Sequence, residues 1–158
     1  MLTRLDKTRQ ILGGKHASID ALLDARHALL VQFVSLVDAK GSRKKCLPSC
    51  HAVQDLCNQL VDYISAGHFE IYHTVISAIE KASGRRLSIV NRILPRIEAT
   101  TELALRFNDT YGQDELDDDK LMTLDDDLNQ LGPILEERFR LEDRLVKALH
   151  IIDDIVAA

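Results

Sequence analysis

A chain of 158 residues, 46% hydrophobic and 28% charged with a formal net charge of −5, is most simply one domain over residues 1–158, large enough to bury a core without a disulfide or metal staple. The acidic balance disfavours direct DNA binding, Met1 to Gln10 lack the apolar run of a signal peptide, and no stretch approaches the roughly 18 apolar residues of a membrane span. Cys46, Cys50 and Cys57 are an odd set without a CxxC pair, which speaks against a disulfide framework and a zinc site and fits a reducing, cytoplasmic setting.

Apolar residues recur at helical spacing almost everywhere and no segment alternates long enough for a strand, so the fold class is all-α. A first helix is predicted over about Thr3–Leu12, broken by Gly13-Gly14. The second runs from about Ala17 to Lys40, with Ile19, Leu22, Leu23, Leu29, Leu30, Phe33 and Val37 on one face and Arg26 in the middle of it. Gly41 ends it, a basic connection follows, and Ser49 is placed to cap the next helix.

The third predicted helix, about Cys50 to Ala82, carries Leu60-Val61-Asp62-Tyr63-Ile64-Ser65-Ala66-Gly67-His68-Phe69-Glu70-Ile71-Tyr72. At about 100° per residue, Cys57, Leu60, Val61, Ile64, His68, Ile71 and Val75 fall on one arc and Asp62, Ser65, Phe69, Tyr72 and Ile76 on the arc beside it. The first arc is a core stripe. The second mixes an acid, a hydroxyl and two aromatics, as protein-binding patches do; spacing alone leaves a second packing stripe or a homodimer seam equally open. Gly67, which costs a helix about 1 kcal/mol relative to Ala, marks a bend or a close helix contact.

Ser83-Gly84 closes that helix, a short one covers about Arg86–Ile93, and Pro95 restarts the chain in a helix to about Asn108. Tyr111-Gly112 ends this segment, and the last helix spans about Asp117 to Asp154 with a kink expected at Gly132-Pro133. The Asp runs at 114–119 and 125–127 read as a solvated loop and an acidic helix start; they lack the glycine and terminal glutamate of a calcium loop. Four long helices with short connections make an antiparallel up-down-up-down four-helix bundle with short accessory helices.

The core faces hold charge. Arg138 and Glu142 lie among Leu128, Leu131, Leu135, Phe139, Leu145, Val146 and Leu149, which with Arg26 and His68 puts two arginines, a carboxylate and an imidazole inside the bundle. Buried charges persist only when paired, so Glu142 is expected to pair with Arg26 or Arg138. A di-iron bundle would need Glu-x-x-His motifs, and the chain has none. Ser65 and His68 lack a third orienting group. His68 is the residue a phosphotransfer bundle would use, but it sits on the core arc with no cation beside it. No catalytic residue, cofactor or metal is therefore assigned.

The Leu60–Tyr72 segment resembles the signature of the Rsd/AlgQ family. Leu135-Glu136-Glu137-Arg138-Phe139-Arg140-Leu141-Glu142-Asp143-Arg144-Leu145 is similar to that family's C-terminal motif, Ile19-Asp20 through Arg26 to Leu29-Leu30-Val31 to its second helix, and Pro95-Arg96-Ile97-Glu98-Ala99-Thr100-Thr101 to its Pro-x-Leu-Glu-Ala element. The loop bearing Cys46 and Cys50, Gly132-Pro133 and the dense Asp runs depart from the pattern. The resemblance implies a non-enzymatic anti-sigma factor of the cytoplasm that binds region 4 of the primary sigma factor and keeps it from core RNA polymerase and the promoter −35 element, favouring alternative sigma factors in stationary phase. It carries partner contact onto Asp62, Ser65 and Phe69, with Tyr72 beside them, and leaves room for weak self-association through the same face. The alternatives are a helical scaffold or interaction module with another cytosolic partner and a His-phosphotransfer bundle.

Overall fold

Helix follows from the spacing of apolar side chains, and its ends follow from caps. The computed structural model describes residues 6–8, 10, 14, 16–38, 48–82 and 84–157, with backbone alone at 68–70, 82, 84–87, 152, 155 and 156. Its elements are α1 (Ala17–Asp38), α2 (Cys50–Ala66), a π-helix (Gly67–Tyr72), α3 (His73–Ala82), α4 (Gly84–Tyr111) and α5 (Asp118–Ala157). No strand occurs among the described residues, and the fold class is all-α. Of the predicted Thr3–Leu12 helix, residues 6–8 and 10 are helical. The rest of it, Gly13, Lys40-Gly41, most of the basic connection with Cys46, and Ser83 lie outside the described residues.

Gly14 has φ of 89°, a left-handed turn that only glycine enters freely, and its N–H donates to Asp20 Oδ1 at 2.9 Å, tying the turn to the start of α1. Ser49 caps α2, its hydroxyl accepting from Ala52 N at 3.2 Å. Asp117 does the same for α5 through Lys120 N at 2.8 Å. Asp118 and Asp119 occupy the first turn of α5, where negative charge complements the helix dipole.

Pro95 does not begin a helix. The predicted short helix and its successor are one 28-residue helix, α4, with Pro95 inside it. Proline removes the bond that an N–H at 95 would donate to the Asn91 carbonyl, and both residues lie on the exposed side of the helix. Val90, Ile93 and Ile97 are buried on either side of it, and their packing keeps the helix continuous through the proline. α5 likewise continues as α-helix past exposed Pro133, between buried Leu131 and Leu135. Beside that proline, a Cβ added at Gly132 would come 3.2 Å from Phe33 Cζ, so glycine lets the α1 ring approach the α5 backbone.

The buried side chains form one cluster drawn from every described helix. α1 packs on α2, α2 on α4, α4 on α5 and α1 on α5, while α3 lies against both α4 and α5. On α1, Leu36 is buried as well, and the predicted Val37 packs half-buried against the core.

Candidate functional site

At the centre of this core stands Glu142, with its side chain fully enclosed, between Arg26 of α1 and Arg138 one turn back on α5. Its Oε2 takes Arg26 Nη2 at 3.1 Å and the hydroxyl of Tyr63, and its Oε1 takes the Tyr72 hydroxyl at 2.8 Å. Arg138 Nε lies 2.9 Å from Oε1, near enough for an ion pair though off the line that a hydrogen bond needs. Each tyrosine acts as a relay. Tyr63 accepts from Arg26 Nε at 3.2 Å and Tyr72 from Arg138 Nη2 at 2.8 Å, and both pass a proton donor on to Glu142.

The remaining donors also find partners. Arg26 Nη1 reaches Asp143 Oδ1 at 2.7 Å, and its guanidinium stacks 4.7 Å above the Phe139 ring. Phe139 in turn meets Tyr63 edge-on at 5.5 Å. Arg138 Nη1 is held by Thr101 Oγ1 at 2.7 Å and Thr100 Oγ1 at 3.2 Å from α4. Those two hydroxyls donate to the Ile97 carbonyl at 2.6 and 3.1 Å, which leaves their lone pairs facing the arginine. Two cations and two carboxylates make the cluster neutral as a whole.

Electrostatics follow from this arrangement. Burial works against the charge of both arginines, but Tyr63, Glu142 and Asp143 around Arg26, and Glu142 with the two tyrosines around Arg138, outweigh it and raise both pKa values. The Tyr63 and Tyr72 phenols are pushed well up, chiefly by burial and further by Glu142. Burial alone lifts the Cys57 thiol to about 11.

Tyr72 requires a correction. Spacing at the α-helical angle set it on the outward arc, yet it is only 5% exposed and belongs to the inner cluster. The cause is the π-helix at Gly67–Tyr72. Its i→i+5 bonds widen the turn, so each residue advances less than in an α-helix, and by its last residue the phase has shifted inward. The Tyr72 ring ends up lining a cleft of about 340 Å³ between α3 and α4, with Ile76, Leu94 and Thr101. Gly67 opens the same turn and is buried. A Cβ there would stand 3.4 Å from Tyr72 Oη and 3.6 Å from Glu142 Oε1, so the close helix contact expected at this glycine is with the carboxylate of α5.

On the outer side of α2, Asp62 is exposed and Ser65 half-buried. The side chains of His68 and Phe69 lie outside the described residues. Tyr63, Asp143, Thr100 and Thr101 were not anticipated. Tyr63 had a signal: Val53, Leu56, Leu60 and Tyr63 step by three and four residues and widen the core stripe of α2 to include it.

The described residues thus define an all-helical protein with Arg26, Arg138 and Glu142 locked inside and Asp62 exposed on α2. Among the described residues no three potential metal-ligating side chains converge, and no helix is long and apolar enough to cross a membrane. Residues 1–150 match the sequence model of Rsd/AlgQ, regulator of RNA polymerase sigma(70) subunit, and the chain belongs to that family. It is 36% identical over 148 residues to Regulator of sigma D from Yersinia enterocolitica, covering 93% of this chain and 89% of that protein. Regulator of sigma D from Salmonella newport is 34% identical over 147 residues, 92% of this chain and 90% of the relative. Family membership makes the chain a non-enzymatic regulator of the sigma(70) subunit.

Proposed function

We propose that the chain is a cytoplasmic anti-sigma factor that binds region 4 of the primary sigma factor and keeps that module from core RNA polymerase and the −35 element, to the benefit of alternative sigma factors in stationary phase. The observation that carries this reading is the family match over residues 1–150, and the exposed Asp62 and half-buried Ser65 on one helix support the choice of face. The four rods α1, α2 through α3, α4 and α5 would alternate up and down, a reading supported by the ring of contacts from α1 to α2, α2 to α4, α4 to α5 and back to α1. Occlusion suffices as mechanism. Phe69 anchors in an apolar pocket of region 4, Ser65 supplies a hydrogen bond and Asp62 pairs with an arginine, while Tyr72, being buried, acts from inside. The same face would serve weak self-association of free copies in competition with sigma.

The net charge of −5 draws in a basic DNA-reading surface, so association with purified region 4 should slow as salt rises. Phe69→Ala should weaken binding by about 2 kcal/mol if the ring is a central anchor, and Asp62→Ala should reduce both affinity and its salt dependence. Folded variants that bind region 4 as tightly as the parent would refute this face.

A further inference from the structure

We infer that Tyr72 is a positioning residue for partner binding: by hydrogen-bonding Glu142 it holds residues 67–72 in the π-helical turn that sets the angle between Asp62 and Ser65 on one side and position 69 on the other. The inference rests on the sigma-binding reading above for the identity of the partner.

Its basis is that both ends of the turn close on one carboxylate. Gly67, the first residue, is packed where a Cβ would touch Glu142 Oε1 and Tyr72 Oη. Tyr72, the last, donates its hydroxyl to the same Oε1 at 2.8 Å and accepts from Arg138 Nη2 at 2.8 Å. Glu142 and Arg138 cannot yield, since Arg26 and Tyr63 hold the first and Thr100 and Thr101 the second. A π-turn carries one more residue than an α-turn and is favoured only where packing enforces it. Without the hydroxyl bond the segment is free to rewind as α-helix, which swings Tyr72 toward the outer arc and rotates position 69 relative to Asp62. A binding face assembled from both sides of the turn then spends only part of its time in the competent arrangement, and its apparent affinity falls by that fraction.

The test compares the full-length parent, Tyr72→Phe and Tyr111→Phe. Tyr111 is a control because its hydroxyl bonds Asp127 at 2.6 Å and Thr123 at 3.1 Å, remote from the turn in the bonding network. Amide hydrogen exchange over residues 67–72 and affinity for purified region 4 of the housekeeping sigma factor are both measured. Tyr72→Phe should speed exchange selectively over 67–72 and weaken binding by about fivefold or more. Tyr111→Phe should lose stability but speed exchange in the turn no more than in the rest of the core, and leave affinity within about twofold of the parent, as independent sites do. Equal weakening by both variants, unaltered exchange over 67–72 in Tyr72→Phe, or faster exchange with undiminished affinity each overturns the inference. Failure of the parent itself to bind region 4 overturns the sigma reading, and the exchange result then decides separately whether the hydroxyl holds the turn.

Discussion

A carboxylate cut off from water must find its counter-charge in the chain, and Glu142 finds it in two arginines, with two phenols adding hydrogen bonds. The arrangement is sensitive to loss of one member, because the survivors stay buried. Glu142→Gln keeps the shape but leaves Arg26 with Asp143 as its anionic partner and takes from Arg138 the carboxylate it faces, so it should cost about 3–5 kcal/mol of unfolding free energy in urea titration. A loss below about 1 kcal/mol would mean that water or a rearranged side chain takes over the charge. Asp143 is partly open to solvent, and Asp143→Asn should cost distinctly less. This much of the site was legible: Arg26, Arg138 and Glu142 interrupt otherwise apolar stripes, and a charge in such a place needs a partner. The threonines were not legible, because Thr100 and Thr101 look like any polar pair on a helix until their hydroxyls are seen turned by the Ile97 carbonyl.

At the scale of elements, periodicity located the helical stretches but misjudged two places where packing overrides local rules. Pro95 reads as a helix start because proline suits a first turn, yet buried Ile93 and Ile97 carry α4 through it. Pro95→Ala should therefore stabilise the protein, by about 1–2 kcal/mol in chemical denaturation, by restoring one backbone bond and removing the clash with the preceding turn. A destabilised variant would show that the proline sets a bend on which the core depends. The π-helix is the second case. A sequence read at about 100° per residue has no mark for a widened turn, so the phase error builds up across residues 67–72 and surfaces at Tyr72.

For the whole molecule, the same burial sets an alkaline limit. Cys57 is raised from 9.0 to about 11, and Tyr111 from 10.0 to about 12, by burial and then by its bond to Asp127; Tyr63 and Tyr72 move in the same direction. All four are neutral when protonated, so the folded chain keeps protons that the unfolded chain releases. Their contribution is fully present below the unfolded values and lost as pH climbs through the folded ones. Unfolding free energy from these groups should thus hold steady up to about pH 9 and fall steeply above it, as followed by urea titration at a series of pH values. A curve flat to pH 11 would contradict the burial of these groups.

The hub around Glu142 draws on α1, α2, the π-helix, α4 and α5 at once. No one of these segments can peel away without stranding a charge or a phenol, so opening of a part costs nearly as much as opening of the whole. In a regulator wired in this way these five segments should open together rather than one by one, so each copy keeps or loses that framework as a unit. Its hold on its target should then follow the number of copies present rather than gradations in the shape of each one.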